Sequence, residues 1–267
     1  MVHESIGASD VSWAGKPYTE VVTAAERDGS VLVVLVGSLE QHGHHLPTST
    51  DTILVSAVAQ TAAERVSNEM PVIVTPPVWP GFSHHHLPFG GTASADNDDL
   101  IAVLEDVADS TLENGFDAIV FVNGHGGNAA AIASATSTVG STYPDTEVAG
   151  LTYFDLGSDR IDTIRDSEHG GAGHAGEIET SMIMYLRPEL LREDAIDGTE
   201  WDSAYDRTRD DLTRTGPMSV YNDFDVYSDS GAVGAPSLAS AEKGEQFFEI
   251  FVDELADVFE RVHETSK

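Results

Sequence analysis

Short stretches of this chain carry carboxylates and imidazoles at spacings that could hold a metal ion. The first is Gly37-Ser38-Leu39-Glu40-Gln41-His42-Gly43-His44-His45-Leu46-Pro47-Thr48-Ser49-Thr50-Asp51. Glu40 and His42 are two apart, so an extended backbone projects both to one side. Asp51 returns after a loop, at the start of the next expected helix. Carboxylate plus imidazole, with no sulfur, suits zinc, manganese or iron(II). A Glu-x-His pair by itself arises often by chance and would read as a surface turn. Gly37, Pro47 and Asp51 around it favour the metal reading.

The second stretch is Asn123-Gly124-His125-Gly126-Gly127-Asn128, directly after an apolar run and directly before a small-residue helix. Glycines let a backbone turn tightly and approach a ligand closely, and a helix start there offers N–H groups to an anion or oxyanion. The glycine spacing fits neither standard phosphate motif, so His125 is read as a third ligand rather than as part of a plain turn. The third stretch is His174-Ala175-Gly176-Glu177-Ile178-Glu179-Thr180-Ser181. His174 and Glu177, three apart near a helix start, can face one cavity, with Glu177 as ligand and His174 as proton carrier. Glu179 is accounted for by the helix dipole and is left out of the site. A fourth stretch, Gly81 to Thr92, carries His84, His85 and His86. Consecutive side chains diverge, and His86 is the one expected in the pocket.

The elements that must position these residues alternate in type. Val31–Val36, Val72–Thr75, Ala118–Val122 and Val148–Tyr153 read as buried strands. Thr52–Val66, a segment from about residues 94–96 to before Gly115, Ala129–Thr138 and Glu177–Tyr185 read as helices, and an amphipathic stripe from Phe247 to Val262 closes the chain. Strands alternating with helices predict a mostly parallel sheet covered on both faces, and ligands collect at the carboxyl ends of such strands. Residues 187–233 lack clear periodicity and are expected to form an elaborated loop or lid within one domain spanning residues 1–267.

The chain has 267 residues, 40% of them hydrophobic, and no cysteine, which excludes a thiolate site, a disulfide framework and a cysteine nucleophile. Its longest apolar run is too short to cross a bilayer, and Met1–Asp10 has no signal-peptide pattern; the cytoplasm is the expected location. Charge is the unusual quantity. Lys and Arg total 13 against 46 Asp and Glu, a formal net charge of −33. Such self-repulsion is tolerable where salt screens it, so a salt-rich cytoplasm is the expected setting. The sign argues against nucleic acid or an anionic membrane as partner.

The four motifs, in this order, resemble the creatininase family, whose members carry Glu-x-His-Gly-x-His-Leu-Pro…Asp, Gly-x-Ser…His…Phe-Pro-Gly-Thr, Asn-Gly-His-Gly-Gly-Asn and His-Ala-Gly-Glu…Glu-Thr-Ser segments. The resemblance runs from about Val31 to Ser181, with an echo in Val233–Pro236 and Ala241–Gly244. It implies a three-layer α/β/α sandwich with a mostly parallel central sheet, assembled as a homohexamer. It also implies two divalent metal ions (Zn, Mn or Fe(II)) per chain: Glu40 and His125 on one, His42 on the other, and Asp51 bridging.

Gly127 stands where creatininases proper have a glutamate, and Glu177 is expected to fill that ligand place. Gly90 stands where the family usually has proline. The activity implied is hydrolysis of a cyclic amide or formamide C–N bond by a hydroxide bridging the two metals. In that scheme backbone N–H groups near Gly126, Gly127 and Asn128 steady the oxyanion, with His86 at the substrate. His174 delivers the proton to the departing nitrogen, and Asn123 orients His125 or its loop. Within the resemblance the substrate is open: a small-molecule amide, a formylamino-pyrimidine ribotide in archaeal flavin and deazaflavin synthesis, or a mycofactocin-type precursor peptide. From a different class, a metal-binding scaffold without activity is the alternative.

Overall fold

The computed structural model describes residues 7–200, 204–205, 207–208, 211–214 and 216–267; parts of the 187–233 segment and of Met1–Asp10 lie outside the described residues. Four strands form one parallel sheet: β1 (Val31–Val36), β2 (Val72–Val74), β3 (Ala118–Asn123) and β4 (Glu147–Thr152), in the spatial order β2-β1-β3-β4. β1 and β3 are the inner pair, in register from Val31 opposite Ala118 to Val36 opposite Asn123. Both are buried along their whole length, which is why they read as unbroken apolar runs instead of alternating ones.

The two faces of the sheet carry separate cores. Alternate residues Val31, Val33 and Leu35 of β1, with Val120 and Val122 of β3, pack against α2 (Thr50–Val66), α6 (Glu177–Leu186) and α7 (Ala241–Thr265). The intervening Leu32, Val34 and Val36, with Ile119 and Phe121, pack against α1 (Tyr18–Ala25), α3 (Asn97–Leu112) and α4 (Ala129–Thr142). A short helix, α5 (Ser158–Ile161), precedes α6. This is a three-layer α/β/α arrangement, as the alternating pattern predicts.

The strand order also says where a ligand should bind. The chain leaves β1 through α2 toward β2 on one side, and leaves β3 through α4 toward β4 on the other. The two crossovers therefore part between β1 and β3, and the crevice outside their carboxyl ends is the topological switch point.

The sequence boundaries shift where caps and edges intervene. α2 begins at Thr50 rather than Thr52, which puts Asp51 inside the helix's first turn. β4 is an edge strand, partly exposed, so apolar content marks its limits poorly. Helix α1 went unread because only Val21 and Ala25 of it are buried, too few to print a stripe.

Between residues 187 and 233, the described residues form short 3-10 turns at 188–190, 193–195 and 224–226, with isolated bridges pairing Thr199 with Val233, Thr208 with Met218 and Asp211 with Arg214. Main-chain bonds tie the segment down beside the crevice: Arg192 N–H donates to His45 O (2.9 Å), Leu212 N–H to Ala172 O (3.0 Å) and Val233 N–H to His174 O (2.8 Å).

Candidate metal centre

Glu40 and His42 follow β1, Asp51 starts α2, and His125 follows β3. Glycine makes this convergence possible at Gly124, where a Cβ would lie 2.7 Å from Val55 Cβ and 2.9 Å from Asp51 O. Only a bare backbone lets the end of β3 approach the first turn of α2 so closely.

The four side chains are buried and their atoms converge. His125 Nδ1 lies 3.1 Å from Glu40 Oε1 and 3.2 Å from Asp51 Oδ2. His42 Nε2 lies 3.1 Å from Asp51 Oδ1 and 3.8 Å from Glu179 Oε1. The two oxygens of Asp51 thus face two different groups, Glu40 with His125 on one side and His42 with Glu179 on the other. Each group could hold a metal ion, as could Glu40, His42 and His174.

Tautomers test whether these donors suit a cation. His42 Nδ1 is 3.1 Å from the Glu40 carbonyl oxygen, and His125 Nε2 is 3.0 Å from that of Phe82. A carbonyl can only accept, so those nitrogens carry the hydrogens. The opposite nitrogen of each neutral ring then aims a lone pair at carboxylate oxygens, themselves lone-pair donors. Glu40 Oε1 and Oε2 and Asp51 Oδ2 are buried with no aligned hydrogen bond, a costly state unless a positive charge lies between.

The electrostatics of the cluster show the same demand for positive charge. Burial alone would lower His42, but Asp51 and Glu179 raise it well above the usual imidazole range. Burial likewise opposes, and Glu40 and Asp51 outweigh it at, His125, which is raised to about 10. Glu40, despite its burial, is held well below the usual carboxylate range by His125 and His86. The residues therefore fit divalent cations, with each imidazole steadied from behind by a backbone carbonyl.

Two carboxylates exchange places relative to the sequence expectation. Glu177 faces away from the cluster: its Oε1 accepts from Asp166 N–H (2.9 Å) and from the Lys243 ammonium (2.5 Å), and its Oε2 from Ser167 N–H (2.9 Å). It anchors the loop before α6 and has no free oxygen aimed at His42 or Asp51. Glu179 is the acid that faces them. Its Oε2 accepts from Ala175 N–H at 2.6 Å, leaving Oε1 toward His42. Ala175 adopts φ 53, a left-handed turn uncommon for alanine, which brings its N–H to Glu179.

Asn128 also departs from expectation. Its backbone N–H donates to His125 O (3.1 Å), so it is not free for an oxyanion. Its side chain clamps the loops instead, donating to Gly37 O and Asn123 Oδ1 and accepting from Phe82 N–H. Gly126 and Gly127 form the turn into α4. A Cβ at Gly127 would run into His125 Nε2 and lie 2.5 Å from Phe82 O, so this backbone has no room for a glutamate there. Asn123 holds the main chain of His125, donating to its carbonyl (2.6 Å) and accepting from its N–H (3.1 Å).

His86 and His174 line the same crevice. His86 Nε2 is 3.2 Å and His174 Nδ1 3.6 Å from Glu40 Oε1. Phe224, from the 187–233 segment, packs on both, with ring centroids 4.2 Å and 5.1 Å away. It forms an aromatic wall that the sequence does not reveal, because nothing in its local pattern ties it to the four motifs.

The family model described as creatininase, creatinine amidohydrolase, matches residues 17–259. The chain belongs to the creatininase family. This chain is 33% identical over 235 residues to a mycofactocin precursor peptide peptidase of Mycolicibacterium smegmatis, covering 86% of this chain and 85% of the relative. Among solved structures it is similar to a creatininase variant described as the Zn–Zn type, with TM-score 0.79, 26% identity and coverage of 95% and 98% of the two chains. It is also similar to a manganese creatininase, with TM-score 0.77, 25% identity and coverage of 94% and 98%. With the buried cluster, these likenesses make this chain a creatininase-family amidohydrolase, a hydrolase of C–N bonds with a metal-binding constellation. Among its described residues, no helix is long and apolar enough to cross a membrane.

Proposed function

We propose that this amidohydrolase binds two divalent cations, one through Glu40, Asp51 and His125 and the other through His42, Asp51 and Glu179, and uses them to hydrolyse a small-molecule amide. The observation that carries the reading is Asp51, one buried carboxylate whose two oxygens face two separate ligand sets. When bound, such a pair of cations would polarise a carbonyl and lower the pKa of a bound water. The chain supplies the rest. His174 donates Nε2–H to the Gln41 carbonyl at 2.7 Å, so its Nδ1 is free to take a proton from the attacking water and return it to the departing nitrogen. The water oxygen joins the carbonyl carbon, the C–N bond breaks, and amide plus water becomes acid plus amine.

Creatinine itself is disfavoured as substrate, because Gly127 occupies the place of the creatininase glutamate and Glu179 supplies a carboxylate from another element. A second reading, trimming of a precursor peptide, is supported by the 33% identity to the mycobacterial peptidase across 86% of the chain. A homohexamer, one catalytic domain, a cytoplasmic setting and adaptation to salt belong to the same proposal. They rest on the family resemblance and on the charge of −33.

The test is elemental analysis and turnover after loading with Zn, Mn or Fe(II), against creatinine, a formamide and a short peptide. Two ions per chain and hydrolysis of at least one amide are expected, with both lost in Asp51→Ala. Two ions retained by Asp51→Ala would remove the bridging role.

A further inference from the structure

Gln41 lies between the two candidate ligands Glu40 and His42, is buried, and carries no charge to draw notice. Its amide orientation is unambiguous. Oε1 accepts from Gly43 N–H at 2.9 Å, and Nε2 donates to Gly231 O at 3.0 Å; a backbone N–H can only donate and a carbonyl can only accept. Nε2 is also 2.8 Å from His86 Nδ1. Because Nε2 is a donor, His86 Nδ1 must accept, and the hydrogen of neutral His86 resides on Nε2. That Nε2 is buried without a hydrogen-bond partner and points into the crevice beside Glu40 Oε1. The same residue's main-chain oxygen accepts from His174 Nε2, which leaves His174 Nδ1 as the acceptor. The two rings are adjacent, with centroids 4.4 Å apart.

We propose that Gln41 is a positioning residue that sets two neighbouring histidines in opposite tautomers, its side-chain amide making His86 an Nε2–H donor and its backbone carbonyl making His174 an Nδ1 acceptor. What those atoms then do rests on the amide-hydrolase reading. His86 Nε2–H hydrogen-bonds the substrate's carbonyl oxygen as charge develops on it, without giving up its proton, while His174 Nδ1 takes the proton of water. The fold reserves space for this arrangement. Gly231 adopts φ 88, and a Cβ there would collide with Gln41 Oε1. The irregular segment therefore contributes a glycine and a carbonyl to hold one amide in one orientation.

The test reads tautomers directly, by two-bond ¹H–¹⁵N correlation on zinc-loaded protein with ¹⁵N-labelled histidine, assigned by single histidine substitutions. Wild type is expected to show His86 protonated on Nε2 alone and His174 Nδ1 unprotonated and unligated. In Gln41→Glu the isosteric carboxylate keeps the Gly43 bond but can only accept, so His86 gains a hydrogen on Nδ1 while His174 is unchanged. The turnover number then falls about 100-fold, the usual consequence of losing one oxyanion donor, with zinc content and KM near wild type. Gly231→Ala, which crowds Gln41 from the other side, gives the same change at His86. A wild-type His86 protonated on Nδ1, a His174 Nδ1 bound to zinc, or a Gln41→Glu variant with unaltered tautomers overturns the proposal. A wild type that takes up no zinc overturns the cation reading instead, and the tautomers of the metal-free protein still decide the role of Gln41.

Discussion

Glu177 and Glu179 stand two residues apart in the first turn of α6, both buried, and they meet opposite surroundings. Glu177 is closed off by two backbone N–H groups and the Lys243 ammonium, which itself also pairs with Asp166 at 2.6 Å. Glu179 keeps one oxygen for His42, close to Asp51. Burial raises both carboxyls. At Glu177 the hydrogen bonds and Lys243 more than offset it and hold the group below the usual range. At Glu179 burial and the neighbouring Asp51 prevail over His42 and the group is raised. The helix dipole acts on both alike, so it cannot say which is tied off and which keeps an oxygen toward His42. The partner brought from elsewhere in the chain decides.

That contrast can be broken most forcefully by substitution. Glu179→Ala should release one cation and lower kcat/KM by about 10³-fold, the loss of several kcal/mol of metal-derived charge stabilisation. Metal analysis showing two ions in this variant would return Glu179 to a capping role. Lys243→Met should do the converse, leaving the ion content of the folded protein intact while costing about 3 kcal/mol of stability, because it strands the buried Glu177 carboxylate. Denaturant unfolding at fixed metal concentration measures it, and an unchanged midpoint would show that the pair contributes nothing.

Acid provides a milder probe. Asp211, buried, is held below the usual range against the effect of burial by Arg165 and by the Gly170 and Thr213 main chain, and Glu177 is lowered as well. Depressed folded pKa values mean that the unfolded chain binds more protons. Stability from both groups is thus fully present above their unfolded values of about 4 and is lost as pH falls through the lower folded values. Unfolding followed from pH 5 downward should show this loss, and Glu177→Gln with Asp211→Asn should flatten it.

The smallest effect is expected from salt, which screens exposed charge but reaches buried pairs weakly. The melting temperature should rise by several degrees from dilute buffer to molar KCl in wild type and in Lys243→Met alike. A salt-independent value would reject salt adaptation without touching the metal centre.

Much of the fold was legible because β1 and β3 are buried on both faces and print unbroken apolar runs, each leading into a motif. Glu40, His42, Asp51 and His125 were legible for the same reason: they sit at strand ends or at a helix start where local spacing already brings them near. Glu179 was hidden because a local rule explained it equally well. Its distinguishing signal lay sixty-odd residues downstream, in Lys243, one of only three lysines in the chain and the partner that occupies Glu177. Gln41 was passed over as the spacer of a Glu-x-His motif, since a neutral amide gains meaning only when its partners, Gly231 and His86, are seen in space. Phe224 and Asp211 act through contacts that cross the chain and leave no periodic trace.

The pairing of β1 with β3 has a further consequence. Hydrogen-bonded strands keep a fixed separation of about 4.8 Å, and the ladder between these two runs unbroken from Val31–Ala118 to Val36–Asn123. Residues emerging from the two ends inherit that interval, so the sheet acts as a gauge that sets how far apart the two halves of the candidate metal centre stand. Because the gauge is cut into two fully buried strands, the irregular wall carrying Phe224 and Gly231 can be rewritten without altering it. A lineage can then keep one bond-breaking tool and change what is offered to it, the pattern expected of a family whose members bear names as different as creatininase and peptide peptidase.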